Sequence, residues 1–353
     1  MVNIKDVARL AGVSISSVSN AINGTRYVSE EVKDKVMRAV EELNYEVDPI
    51  ARSLKSSVSM TLGVILPSMS RIFLPLVVSG MQKAAADSGY HLIIYATDDN
   101  FEKEESYVTM LANQRVDGII IDSVAQENTR EYYHRLSHLT RRNRNIPILS
   151  LERNLEKYGI SSIYVDNHSA GKTATAHLLE CGCRRILHIS GPHSSQMSRY
   201  RFNGYKEALD EADIPHNPQF NLDGDYSPLS GYRATRFALM NAFEFDGIFA
   251  DNDQMAIGAM KALKEHGKRI PEDVKIVGFD NTFASSIVSP SLTTINVPKF
   301  RMGTEAVASL IKLINRDVID DFNVPKMEQL STSLLIRNST VGGKEENWDL
   351  EDW

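Results

Sequence analysis

The chain has 353 residues, 42% of them hydrophobic and 24% charged, with a formal net charge of -7 and two cysteines. That length exceeds one ordinary core, so two or three compact units are expected, and the composition excludes disordered, collagen-like and disulfide-stapled classes. No apolar run approaches the ~20 residues of a membrane span, and the opening Met1-Val-Asn-Ile-Lys-Asp is charged at once, so a cytoplasmic protein with no membrane partner is expected.

The first 60 residues read as short helices. Asn3 is placed to cap a helix from Ile4 to Ala11, with Asp6 completing a capping box and Val7, Ala8 and Ala11 on one face. Gly12-Val13-Ser14 breaks the chain: the glycine permits the turn, Val13 drops into the core and Ser14 caps a second helix, Ile15 to Ile22. Asn23-Gly24 closes it, and Ser29 starts a third helix in which Val32, Val36, Val40 and Leu43 recur at helical spacing. This stretch holds eight Lys/Arg against eight Asp/Glu, whereas the remainder holds 31 against 38. A neutral head can grip phosphates only if its charges are segregated by face, so a moderate salt dependence is expected of any DNA binding.

From Thr61 the texture changes to short apolar runs alternating with amphipathic helices. The expected strands are Leu62–Leu66, His91–Ala96, Gly118–Asp122, Pro147–Leu151, Ser162–Val165, Ile186–Ser190, Gly247–Ala250 and Val274–Gly278. The expected helices are Phe73–Ser88, Glu104–Gln114, Ser169–Cys181, Arg201–Ala212, Gly231–Asn241 and Gln254–His266. Alternation of this kind means parallel sheets wound by right-handed crossovers, and its length suits two similar lobes. Ligands of such sheets sit beyond the carboxyl ends of the strands, here between the lobes. Cys181 and Cys183 are too close for an ordinary staple and have no metal-ligand partners nearby, so they are expected to be reduced.

Two short helices joined by a glycine-containing turn suit insertion of the second into a DNA major groove. On that second helix Val18, Ala21 and Ile22 point inward by spacing, leaving Ile15, Ser16, Ser19 and Asn20 outward. Asn can pair bidentately with adenine, Ile can touch a thymine methyl, and Ser adapts to either role. By spacing alone, an ordinary three-helix core with a polar surface remains an equal alternative.

The stretch IKDVARLAGVSISSVSNAIN followed by VSEEVKDKVMRAVEELNYEVDPIARSLK resembles the headpiece of the lactose/galactose repressor (LacI/GalR) family of transcription regulators. The body resembles the same family in order: VDGIIID, DNHSAGKTATAHLLECGCRRILHISGP, RFNGYKEAL, GDYSPLSGYRA, FADNDQMAIGAMKAL, VKIVGFDN and SPSLTTINVP. The resemblance implies an all-α helix-turn-helix headpiece over 1–46 and a hinge helix with linker over 47–60. It further implies an α/β, periplasmic-binding-protein-like effector core over 61–341, made of two doubly wound parallel-sheet lobes. The first lobe would take about 61–165 and 296–326, the second about 166–293 and 328–341, leaving an acidic tail at 342–353.

The resemblance also implies roles. A homodimer would bind a palindromic operator in double-stranded DNA through Ser14, Ile15, Ser16, Ser17, Asn20 and Arg26, with Leu54 and Lys55 in a hinge that becomes helical on DNA. Leu54 matches a leucine wedged into the minor groove, where unstacking one step is offset by the contacts of kinked DNA. A small-molecule effector, a sugar or sugar phosphate, would meet Phe73, Ser169, Arg201, Tyr226, Asn252 and Asp280; no cofactor or metal is implied. Asp, Arg and Asn suit a polyol because between them they accept and donate along its hydroxyls. The segment LERNL is similar to relatives that respond to sucrose, fructose or ribose, and the tail EENWDLEDW lacks heptad spacing, which favours a dimer over a tetramer.

Two rivals fail on chemistry. Ser169-Ala170-Gly171-Lys172-Thr173 looks like the end of a phosphate-binding loop, but Asp166 stands where the motif needs its first glycine, and no nucleophile elbow or histidine pair at metal spacing supports an enzyme. A transporter's solute-binding protein would share the two lobes but has no use for the first 60 residues.

Overall fold

The computed structural model describes residues 2–23, 26–45, 58–126, 129–141, 144–315 and 325–343. It divides into two compact units, Met1–Ser59 and Met60–Trp353.

The first unit contains α1 (Ile4–Ala11), α2 (Ile15–Asn23) and α3 (Glu30–Glu42). The capping box forms as expected: the Lys5 amide donates to Asn3 Oδ1 at 2.9 Å, and the Asn3 amide donates to Asp6 Oδ2 at 3.1 Å. Gly12 ends α1 with φ 65°, a left-handed geometry that side chains with a Cβ resist. Ser14 Oγ then accepts the Ser17 amide at 3.1 Å, satisfying a donor at the start of α2. Val7, Ala8, Val18, Val36 and Ala39 form the buried centre, with Val13, Ile22 and Leu43 packed against it. Ser29 precedes α3 but makes no side-chain capping bond, so that helix starts on backbone geometry and the acidic Glu30 and Glu31.

The second unit is built on two six-stranded sheets. The first comprises β1 (Thr61–Leu66), β2 (His91–Ala96), β3 (Gly118–Ile121), β6 (Ile148–Leu151), β7 (Ser161–Val165) and β13 (Met327–Leu330); β4 (Thr140–Arg141) and β5 (Arg144–Asn145) form a small hairpin. The second comprises β8 (Ile186–Ser190), β9 (Asn221–Asp223), β10 (Gly247–Ala250), β11 (Lys275–Asp280), β12 (Thr293–Asn296) and β14 (Ser333–Leu335). Strand orders are β13-β7-β6-β3-β1-β2 and β14-β12-β11-β10-β8-β9, the same winding repeated, with only β14 antiparallel to its neighbour. β1 aligns Ile65 with Tyr95 and Ile121, and β10 aligns Phe249 with His188. Central strands such as β3 and β10 are buried along their whole length, as helix-covered parallel strands must be.

The chain crosses between lobes after Val165, after Asn296, and between Leu330 and Ser333. The last crossing falls later than the sequence suggested, because Met327–Leu330 pairs with β7 in the first lobe. The helix Lys299–Ile314, which periodicity did not pick out, returns to the first lobe and packs on Phe73–Asp87. That crossing is close: a Cβ on Gly80 would lie 2.1 Å from the Phe300 carbonyl oxygen, and one on Gly303 2.0 Å from that of Val77. Several helix starts moved upstream because their caps lie there. Ser195, Ser227 and Asp166 each accept an amide of the first turn, so the helices run Gln196–Glu211, Pro228–Met240 and Asn167–Glu180.

Candidate functional site

In the first unit, Ile15 is 46% exposed, and Ser14, Ser16 and Arg26 are exposed beside half-buried Ser17 and Asn20. Ser14 Oγ lies 2.7 Å from Ser16 Oγ and 2.9 Å from Ser17 Oγ, so three hydroxyls cluster at the start of α2 next to an outward isoleucine. Ser19, expected outward, is buried: it follows Val18 directly, and the inward face of α2 is wider than its apolar residues alone. Tyr27, which spacing did not single out, is 94% exposed. Leu54 and Lys55, with the hinge around them, lie outside the described residues.

In the second unit a cleft partly open to solvent lies between the lobes at the carboxyl ends of their strands. The first lobe contributes Arg71, Phe73, Leu74, Asp122 and Glu152, and the second Met197, Arg201, Tyr226, Asn252, Gln254 and Asp280. Five of the six residues expected to face a ligand are therefore together. Ser169 is not among them: it is exposed in the first turn of its helix, its amide and hydroxyl donating to Asp166 at 3.0 and 2.7 Å. Burial pushes the Asp166 carboxyl up, but the bonds from Ser169 and the His168 backbone outweigh it and hold the group below its ordinary value. A carboxylate thus occupies the helix start where a phosphate would have to sit.

Arg201 is held before any ligand arrives. Its Nε donates to Asn167 Oδ1 at 2.8 Å, one terminal nitrogen donates to the Asp251 carbonyl, and the guanidinium lies 3.6 Å from the centroid of Phe279. Asp251 is itself fixed, its carboxylate 2.9 Å from His188 Nε2 and accepting the Gly191 amide at 2.8 Å. Tyr226 has φ 68° and anchors its hydroxyl between Ser195 and Ser198 at 2.9 and 2.6 Å. Its ring carries the Arg71 guanidinium 4.8 Å from the centroid, and Arg71 also pairs with Asp99. Asn252 faces the cavity, yet its amide is engaged: Oδ1 caps the helix Asp253–Glu265 and Nδ2 donates to the Tyr226 carbonyl at 2.9 Å. Gln254 joins the lobes directly, accepting the Ile72 amide at 3.0 Å.

Acidic groups dominate the remaining lining. Burial pushes the carboxyls of Asp122 and Asp280 up to about 7 and that of Glu152 up to about 8; Arg71 opposes the rise in all three, with Arg153 beside Asp122 and Arg201 beside Glu152 and Asp280. Glu152 Oε1 is buried with no hydrogen-bond partner. Glu152 and Asp280 also adopt φ 66° and 102°, strained for residues other than glycine. Asp253 behind them, pushed up to about 6 by burial, is satisfied by Thr282 and Thr294. Motif matching missed Arg71, Asp122, Glu152 and Gln254. The signal was there for two of them: Asp122 ends the apolar run GIII and Glu152 follows the buried strand ILSL, where parallel sheets place ligands.

Among the described residues there is no cluster of three side chains that could hold a metal, and no helix long and apolar enough to cross a membrane.

A helical headpiece joined to two repeated α/β lobes that enclose a polar cleft defines a ligand-responsive DNA-binding regulator. Residues 3–48 match the bacterial regulatory proteins of the lacI family, and residues 175–340 match the periplasmic binding protein-like domain. The chain is 34% identical over 344 residues to the ribose operon repressor of Halalkalibacterium halodurans, covering 98% of each. It is also 34% identical to the HTH-type transcriptional repressor PurR of Haemophilus influenzae, covering 96% of this chain and 98% of that one. Among solved structures it is similar to the lac repressor dimer bound to operator and the anti-inducer ONPF, with TM-score 0.85, 28% identity, and coverage of 97% and 99%. A transcriptional regulator CelR–cellobiose complex is similar at TM-score 0.70 and 28% identity, covering 96% of this chain and all of that one. The chain belongs to the lacI family of bacterial transcription regulators and is a DNA-binding transcriptional repressor that answers to a small-molecule ligand.

Proposed function

We propose that this repressor binds an inverted-repeat operator as a homodimer and controls genes of carbohydrate uptake or catabolism through a sugar-type effector in the cleft. Ser14, Ile15, Ser16, Ser17, Asn20 and Arg26 form the base- and phosphate-reading surface, and Leu54 and Lys55 belong to a hinge that enters the minor groove. Phe73, Arg201, Tyr226, Asn252 and Asp280 line the effector pocket. The protein works as a cytoplasmic binding device and not as an enzyme, a reading supported by relatives that are transcriptional repressors and by charged cleft groups that fit hydrogen bonding to hydroxyls. The relatives support the sugar reading, one being a ribose operon repressor and another a regulator complexed with cellobiose.

The observation that carries the proposal is the cavity lined from both lobes, with Gln254 bridging them. A ligand there touches both halves and can bias their relative rotation, which the hinges convey to the operator. Operator affinity measured by fluorescence anisotropy on selected inverted repeats tests it. The wild-type affinity should change on adding the effective sugar, whereas Arg201→Ala, confirmed folded by circular dichroism, should keep the ligand-free affinity and lose the response. An Arg201→Ala protein that responds as the parent does would remove the cleft from the mechanism.

A further inference from the structure

The geometry points to a second ligand site, separate from the cleft, that takes a small organic anion. Its cavity lies between the segment 153–158 of the first lobe and the start of the helix Gln196–Glu211 of the second, and its ligand is a single ring bearing one carboxylate or phosphate group. The inference goes beyond the reading of the cleft as the effector site and does not depend on it.

This cavity, about 280 Å³ and partly open to solvent, shares no lining residue with the cleft. The first lobe supplies Tyr133, Arg153, Lys157 and Tyr158, and the second supplies Tyr200 from the first turns of its helix. Backbone nonetheless joins the two sites. Arg153 directly follows Glu152 and Tyr200 directly precedes Arg201, and both of those neighbours line the cleft. A ligand in either site therefore rests on segments that the other uses, and touches both lobes.

Arg153 carries the argument. It is 4% exposed and permanently charged, and a guanidinium withdrawn from water needs acceptors for its N–H groups or an anion beside it. One terminal nitrogen donates to the Ala125 carbonyl and, at 3.0 Å, to the Tyr133 hydroxyl, both of them neutral. Nε is buried without a partner, and the other terminal nitrogen makes no hydrogen bond among the described residues. These two nitrogens lie along one edge of the guanidinium, the fork that a carboxylate or phosphate accepts bidentately. Glu104 and Asp122 feel the charge of Arg153, but neither forms an ion pair with it among the described residues. Glu104 is taken up by the Ser123 and Tyr132 hydroxyls and the Val124 amide at 2.6, 2.7 and 2.6 Å, and Asp122 lines the cleft.

The rest of the lining fits an anion with a flat body. Lys157 is exposed, pairs with no carboxylate among the described residues and lies 5.1 Å from the centre of the Tyr158 ring. Arg153 and Lys157 thus face a single acid, Glu156, across the lining. Tyr133 and Tyr158 stack with ring centroids 4.9 Å apart, and Tyr200 is 44% exposed, with its hydroxyl accepting the Gln196 side-chain amide at 3.2 Å. Tyrosines grouped in this way offer aromatic surface to a planar ligand whose acidic group reaches the buried fork.

The test is isothermal titration of the full-length protein, in low-salt buffer free of phosphate, with benzoate, phenyl phosphate, inorganic phosphate and uncharged benzyl alcohol. A ring anion should bind at least about tenfold more strongly than benzyl alcohol, and the tighter of benzoate and phenyl phosphate assigns the acidic group. Arg153→Gln should weaken that binding by about tenfold or more, and Lys157→Glu and Tyr200→Ala several-fold each. Those two exposed substitutions carry the test should Arg153→Gln fail to fold by circular dichroism. Equal binding of benzyl alcohol, or no binding of either ring anion, overturns the inference. Inorganic phosphate binding as tightly as phenyl phosphate overturns the part given to the tyrosines. Loss of binding in Arg201→Ala but not in Lys157→Glu or Tyr200→Ala would put the anion in the cleft and overturn the second site, while leaving the cleft as the effector site.

Discussion

Asp122 ionises only at a cost. Its carboxyl is buried, with Arg71 and Arg153 near enough to temper the rise but with no hydrogen bond among the described residues. The sign is set by that elevation. The protonated acid is tolerated at low pH, and stability is lost as pH rises from near 4, where the unfolded chain ionises, through about 7. Asp122→Asn removes that cost in the ligand-free protein. Its thermal midpoint at pH 8.5 should exceed the parent's by an amount equivalent to at least about 1 kcal/mol, and the gap should close as pH falls toward 4. A gap independent of pH would mean that Asp122 is already stabilised by a donor. The same residue shows what single letters reveal: an Asp ending an apolar strand marks a position beyond a sheet, but nothing in GIIID says that Glu152 and Asp280 will come to line the same cavity.

At the scale of elements, periodicity and caps went far. The spans of α1, β2, β8 and β10 agree with the residues that sequence patterns marked, because each combines a strong apolar pattern with a clear breaker. The helix Lys299–Ile314 was overlooked, as were short strands such as β9 and β14, whose three residues are too few to show a period. Gly80 and Gly303 belong to a helix crossing that depends on both. Gly80→Ala would drive a methyl group into the Phe300 carbonyl, and the helices can escape only by separating. A loss of about 2 kcal/mol is expected, read as a lower urea midpoint at unchanged m-value. The hinge proposed around Leu54 carries a prediction of its own: with Leu54 as a wedge that kinks only the specific duplex, Leu54→Ala should weaken binding to the operator much more than to random DNA. Equal losses on both DNAs would remove the wedge.

In the whole molecule the two lobes act through the groups that join them. Gln254 reaches from the helix Asp253–Glu265 to the Ile72 amide, and Arg71 lies over Tyr226, so contacts between lobes exist before any ligand binds. Gln254→Ala removes the hydrogen-bonded link. The ligand-free repressor should then populate more open lobes, seen as a larger radius of gyration in X-ray scattering, and bind effector several-fold more weakly because closure is no longer pre-organised. By linkage, whatever factor the effector imposes on operator affinity must appear in reverse, with operator DNA changing effector affinity equally.

The sequence by itself determined the class of this protein: caps, turns and apolar spacing mark the short helices of the headpiece and the doubled α/β core, and the resemblance of its motifs to the lacI family, not spacing, decides that the headpiece reads DNA. Only the tertiary structure decided the chemistry of the cleft. It removed Ser169 from the lining, engaged the Asn252 amide in a cap, and assembled Asp122, Glu152 and Asp280 around one cavity, leaving Glu152 Oε1 buried without a partner among the described residues. The reason is physical: whether a side chain is free for a ligand depends on which groups from distant strands already satisfy it, and that pairing is settled when the sheets pack.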